Sequence, residues 1–237
     1  MGLNILALRP GISGVWLPKI QALLYDIYIK EENWKFNEEN PSNLRIEQRT
    51  GDKSFLKDRF MKTATWFIAV KESLTTNPSL TDKDLVGVFR LIENEPIELA
   101  SYTSEPYHNA VNDLLEKYKG DGLAEVNRFA VHSAYRKKGV GLMLMQAIIQ
   151  HTADTRDDNL GPVAASIPLD CAYRYPASVL AKLAKPFGEP FYFEKTDPAP
   201  AQLYMFQKDD IRRANRHILQ NRASLKNQHR KQCQHNM

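Results

Sequence analysis

The chain has 237 residues, 43% of them hydrophobic and 25% charged, enough apolar surface for one large α/β domain or two small ones. Its two cysteines, Cys171 and Cys233, are too far apart to suggest a disulfide framework or a metal site, which points to a reducing, cytoplasmic setting. The net charge of +4 belongs to the C-terminus: Lys208 to Met237 carries eight Lys/Arg against two Asp, a local +6 that leaves about −2 for the rest.

In chain order, Leu3 to Leu8 is a short apolar run stopped by Pro10-Gly11 and reads as an edge strand. The first residues lack the long apolar core and cleavage pattern of a signal peptide, and no apolar run approaches the ~20 residues needed to span a bilayer. Val15 to Lys30 sets Ile20, Leu23, Leu24, Ile27 and Tyr28 at helical spacing. A polar stretch follows to Asp52, and Phe55, Arg59, Phe60 and Met61 predict a short second helix. Thr65 to Val70 and Leu85 to Ile92 are β-rich and read as partner strands across the polar link Glu72 to Lys83. Beyond an irregular segment, a helical piece spans Ala110 to Tyr118 and a strand spans Leu123 to Val131. Tyr135 to Gly141 is a glycine-containing loop, after which Val140, Leu144, Met145, Ile148 and Ile149 define an amphipathic helix to about Thr152. Val163 to Leu169 reads as a strand, Ser178 to Lys185 as a short helix, and Phe191 to Glu194 and Leu203 to Gln207 as late strands. This order predicts a mixed α/β sheet in one domain, residues 1–208, with a basic helix or disordered tail over 209–237.

The chemistry concentrates where a strand, a basic glycine loop and a helix follow one another: Asn127 to Val131, His132 to Tyr135, then Arg136-Lys137-Lys138-Gly139-Val140-Gly141. Glycines at 139 and 141 let a ligand approach the backbone closely. A helix starting there turns unpaired N–H groups and its positive dipole end toward an anion. Arg136, Lys137 and Lys138 add charge suited to a pyrophosphate. The loop lacks the Lys-[Ser/Thr] ending of a P-loop and the third glycine of a dinucleotide fingerprint.

Arg136-x-x-Gly139-x-Gly141 after a strand ending in Val131 resembles the donor motif [Arg/Gln]-x-x-Gly-x-[Gly/Ala] of the GNAT superfamily of N-acyltransferases. The resemblance implies a mixed, mostly antiparallel central sheet flanked by helices, and direct transfer of an acyl group from acetyl-CoA or another acyl-CoA to a primary amine. It also implies that the donor is held by Phe129, Ala130, Val131, Arg136, Lys137, Lys138, Gly139, Val140 and Gly141. The pantetheine would pair with the backbone of 129–131, and the thioester oxygen would face an N–H of that strand. Within the superfamily, Glu125-x-x-Arg128-Phe129-x-Val131, Gly87-x-x-Arg90-Leu91, and Tyr25-x-x-Tyr28 followed by Glu32 and Trp34 are similar to patterns of acyl-homoserine-lactone synthases and N-acyl amino acid synthases. The chain departs from that branch at Leu24, where those enzymes carry Arg, and in having so clear a CoA loop.

An attacking amine must lose a proton, and Glu125, on the strand that leads to the donor site, is the first candidate for the base; its alternatives are a surface carboxylate or a partner of Arg128. Strict strand alternation separates the two, so both can serve one site only through a bulge. The position that usually carries the tyrosine acid of these enzymes is Ala184, which leaves Tyr173 and Tyr175 as candidates. Trp34, Arg90 and Arg128 are assigned to the substrate side. The histidines show no metal spacing, and no metal is expected.

Acetyl is the first expectation for the acyl group. The alternative is a longer acyl chain, from CoA or acyl carrier protein, giving an N-acyl amino acid or homoserine-lactone-like product. The acceptor is a small-molecule or peptide amine. A third possibility is a non-catalytic CoA-binding module whose basic tail binds nucleic acid.

Overall fold

The computed structural model describes residues 2–11, 14–34, 46–51, 53–71, 85–93, 96–101, 109–156, 161–170, 184–193 and 197–216. Strand β1 (Leu3–Leu8) leads to helix α1 (Leu17–Leu24), which opens on Pro18 and continues into a π-helical segment, Tyr25–Glu31. A hairpin follows, β2 (Ile46–Thr50) and β3 (Lys53–Lys57), turning at Gly51, whose φ is +59°. Then come β4 (Thr65–Lys71), β5 (Leu85–Ile92), α2 (Asn109–Lys117), β6 (Ala124–Val131), α3 (Val140–Thr155), β7 (Val163–Pro168), β8 (Lys185–Phe191) and β9 (Ala201–Phe206). A helical segment covers 208–216.

Seven strands make one sheet in the order β1-β4-β5-β6-β7-β9-β8. Only β6 and β7 pair in parallel; every other neighbouring pair is antiparallel. Strand β4 is apolar on both faces because both faces are covered. Trp66, Ile68 and Val70 meet Ile20 and Leu24 of α1, while Phe67 and Ala69 meet Leu144 and Ile148 of α3. Each of the larger apolar side chains among them contributes roughly 1.5–3 kcal/mol. Gly87 sets the approach of α3: a Cβ there would lie 3.1 Å from Leu144 Cδ1 and 3.2 Å from both the Ala130 carbonyl and Val140 Cγ1. The start of α3 therefore sits directly against the centre of the sheet.

The mixed, mostly antiparallel sheet is the one expected, and β1, β4 to β7 and β9 lie where the sequence puts strands. Other elements differ. The expected helix over Phe55 to Met61 is strand β3 and then a turn, in which the Phe60 N–H donates to Asp58 Oδ1 at 2.9 Å; strand and turn side chains together imitate a helical period. The late strand begins at Lys185, earlier than expected, and contains Pro186, Gly188 and Pro190. It is an edge strand, where proline is tolerated, so its composition conceals it. Of the expected helix from Ser178, residues 178–183 lie outside the described residues, and Lys185 belongs to β8. At the C-terminus, Ile211 and Ala214 of the 208–216 helix are buried against the core beside α3.

Candidate active site

Strands β6 and β7 hold together over only three residue pairs, Ala124↔Val163, Glu125↔Ala164 and Val126↔Ala165, and then separate. A cavity of about 790 Å³ fills the wedge, within the range of small-molecule sites. Its lining includes Phe89, Val126 and Ala165, Phe129 to Val131 of β6, and Ser166 to Pro168 of β7. Tyr28 and Trp34 line it from the π-helical side, and their rings lie 4.6 Å apart.

At its upper end the cavity meets the loop before α3. The chain leaves β6 through a short turn in which His132 Nδ1 accepts the Ala134 N–H at 3.2 Å. Lys137 and Gly139 both take positive φ, +62° and +82°, and α3 begins at once with no side-chain cap and no acidic residue in its first turn. Val140, Gly141 and Leu142 line the cavity at this uncapped N-terminus. Nothing lies within 4 Å of where a Gly139 Cβ would sit, so space is open beside the loop. Free N–H groups, the dipole end and Lys137 together suit a pyrophosphate. Arg136 binds its own protein: Nε donates to the Val131 carbonyl at 3.0 Å, and the guanidinium pairs with Glu31.

Midway along β6 the register against β5 slips. Val88 pairs with Ala130 but Arg90 with Asn127, leaving Arg128 and Phe129 opposite Phe89 alone. Arg128 has φ +52°. This is the bulge required if Glu125 and Arg128 are to serve one site, and it turns Arg128 into a buried ionic cluster. Arg90, fully buried, contacts Asp58 Oδ1 and Oδ2 at 2.8 and 2.9 Å, Asn127 Oδ1 at 2.7 Å, and Glu98. Arg128 reaches Glu98 Oε1 at 3.0 Å and Asp58 Oδ2 at 3.3 Å. Behind them, Glu125 accepts the Leu99 N–H at 2.9 Å and the Asn127 amide at 2.7 Å. Burial first, and then the Glu98 carboxylate, push the Glu125 carboxyl up to about 8, against the Leu99 and Asn127 hydrogen bonds and Arg90. Protonated, Glu125 leaves two guanidiniums facing two carboxylates, a neutral cluster.

The model of the acetyltransferase (GNAT) family matches residues 24–159, more than half of the chain, and spans both the bulge and the loop. The chain belongs to the GNAT acetyltransferase family. It is an N-acyltransferase, and GNAT enzymes use acyl-CoA as donor and act on amine acceptors. No curated protein sequence matches it. Among solved structures, the N-acyl amino acid synthase FeeM from uncultured soil microbes superposes with a TM-score of 0.53 at 14% identity, covering 89% of this chain and 94% of that one. The CoA-dependent acyl-homoserine lactone synthase BjaI, solved with SAM and isopentyl-CoA, gives a TM-score of 0.57 at 17% identity, with coverage of 92% and 90%. The acyl-homoserine lactone synthase LasI gives 0.55 at 11%, with coverage of 87% and 90%. At these identities the likeness is one of fold.

Within the GNAT fold, the cavity brings together Trp34, Arg128, Phe129, Ala130, Val131, Arg136, Lys137, Gly139, Val140 and Gly141 from the sequence-derived set. Three do not line it. Glu125 and Arg90 are buried behind its wall, and Lys138 Nζ lies 5.4 Å from the Tyr135 ring centroid. Tyr173 and Tyr175 lie outside the described residues. Sequence reasoning passed over Glu98, which lines the cavity from a single helical turn, Glu98–Ser101, inside a stretch read as irregular. Tyr28, placed by the sequence in the pattern Tyr25-x-x-Tyr28 but given no site role there, also lines the cavity. Among the described residues no helix is long and apolar enough to cross a membrane, and no group of three or more His, Cys, Asp or Glu is placed to hold a metal ion.

Proposed function

We propose that this GNAT enzyme transfers an acyl chain longer than acetyl from CoA to a small primary amine that carries an anionic group. The observation that carries this reading is the size and apolar lining of the cavity. Its lining includes Phe89, Val126, Ala165 and Ile167, more apolar surface than the two carbons of an acetyl group cover. The structural likeness to FeeM and BjaI agrees with it.

In this reading the α3 N-terminus and Lys137 bind the donor pyrophosphate, and the backbone of Phe129 to Val131 lines the pantetheine. The acyl chain lies on Ala165 and Phe89. Arg128 meets the anionic group of the acceptor, and Arg90 positions Arg128 through their shared partners Asp58 and Glu98. Glu98, which lines the cavity, receives the proton shed by the amine, while Glu125 stays protonated behind it. Acetyl transfer, the commoner chemistry of the family, is the competing reading.

The experiment is to incubate the protein with acetyl-CoA or octanoyl-CoA and an equimolar pool of amino acids, and to identify products by mass spectrometry. N-octanoyl amino acids formed faster than N-acetyl ones support the reading; the reverse preference assigns acetyl.

A further inference from the structure

The far end of α3 carries a second, smaller cavity of about 20 Å³, between the last turn of that helix and the 208–216 helix. It has room for one water-sized atom. Among the described residues, Thr152 and Arg156 line it from α3 and its C-terminal end, Lys208 and Arg212 line it from the C-terminal helix, and no acidic side chain lines it. Ile211 and Ala214 hold the C-terminal helix against the core, which brings its cations to α3. One terminal nitrogen of Arg156 donates to the Gly122 carbonyl and, at 2.9 Å, to the Gly161 carbonyl, which fixes the guanidinium beside the cavity. Thr152 is 4% exposed, and its hydroxyl has no hydrogen-bond partner. A helical threonine can donate to a carbonyl one turn earlier, as Thr155 does to the His151 carbonyl at 2.8 Å. Thr152 makes no such bond, and a buried polar group left unpaired is costly. The Thr152 carbonyl is itself occupied by the Arg156 N–H at 3.2 Å, so two carbonyls at this end of the helix are already satisfied.

We propose that this cavity is a phosphate site, in which one oxygen of inorganic phosphate accepts the Thr152 hydroxyl while Arg156, Lys208 and Arg212 balance its charge. The volume admits a single oxygen, and the other three stay at the mouth, where guanidiniums bind phosphate oxygens through paired N–H donors. Three cations around a cavity of this size favour an anionic oxygen over a neutral water. A halide offsets only one of the three charges, and phosphate near neutral pH offsets more. The site lies roughly 18 Å along α3 from Val140, at the opposite end of the helix from the donor loop. Its occupancy ties the C-terminal helix to α3 through one ligand and is independent of the acyl-transfer reading.

The test compares the full-length wild type with Thr152→Val, in which a methyl group replaces the unpartnered hydroxyl at nearly the same volume. Inorganic phosphate or sodium chloride is supplied at matched ionic strength, and binding is read by isothermal titration calorimetry and by thermal unfolding. In chloride, Thr152→Val should unfold at the wild-type temperature or above, because no hydrogen bond within the protein is lost. Phosphate should raise the wild-type Tm more than chloride does. Its affinity should fall about tenfold or more in Thr152→Val, the weight of a hydrogen bond to a charged group. Equal phosphate binding by the two proteins puts the ion elsewhere, the donor loop included, and overturns the proposal. So does a wild type that phosphate stabilises no more than chloride. Early unfolding of Thr152→Val in chloride overturns it as well, because the hydroxyl would then have a partner within the fold.

Discussion

Replacing Glu125 by Gln removes a proton that the folded protein holds and the unfolded chain releases. The carboxyl is 1% exposed and is pushed from 4.5 to about 8 on folding, chiefly by burial. A carboxyl raised on folding contributes stability that is fully present below its unfolded value and is lost as pH climbs through its folded value. At ~1.36 kcal/mol per pH unit, the whole shift corresponds to about 5 kcal/mol, lost between pH 4.5 and about 8. Gln matches the protonated carboxyl in size and has no proton to lose. Its amide faces one N–H donor too many, either Leu99 or Asn127, which adds a constant penalty but no slope. The unfolding free energy of Glu125→Gln minus that of the wild type should therefore rise by ~4 kcal/mol from about pH 5 to about pH 8. Urea unfolding of both proteins across that range measures the difference. A flat difference, or one that falls with pH, would refute the reasoning: Glu125 would then be an ionised carboxylate held by Arg90 and its two N–H donors.

Three further outcomes follow from the geometry. Gly139→Val forces a β-branched residue to φ +82° beside open space, so CoA affinity by calorimetry should fall at least about tenfold, while the strain of ~1–2 kcal/mol leaves the protein folded by circular dichroism. Arg90→Met leaves Asp58 and Glu98 with Arg128 as their remaining cluster cation and should cost ~3–5 kcal/mol in urea unfolding, the usual weight of breaking a buried ion pair. Ala165→Phe narrows the cavity at its apolar lining and should weaken octanoyl-CoA binding while leaving acetyl-CoA binding within about threefold, a loss of ~0.8 kcal/mol for each methylene displaced.

The sheet was legible because its central strands are long, apolar and bounded by polar links, and the entry to α3 because Gly139 and Gly141 punctuate the step from strand to helix. Less legible were the features that do not repeat along the chain. The π-helical segment keeps enough 3.6-residue periodicity in Ile20, Leu24, Ile27 and Tyr28 to pass as ordinary helix. The bulge at Arg128 has no composition signal, since an arginine at positive φ is stabilised by partners distant in sequence, Asp58 and Glu98. Glu125 was readable as an important carboxylate but not as a buried one: its burial depends on Glu98–Ser101, a short turn that periodicity cannot detect.

The most direct test of the central claim is isothermal titration calorimetry of the wild-type protein with CoA, acetyl-CoA, butyryl-CoA and octanoyl-CoA under one set of conditions. If the wedge between β6 and β7 is an acyl chamber, affinity should rise steadily with chain length, by up to about fourfold for each methylene buried. Affinity that peaks at acetyl-CoA and falls for octanoyl-CoA would contradict the account, because the apolar lining at Phe89, Val126 and Ala165 would then have no acyl chain to receive.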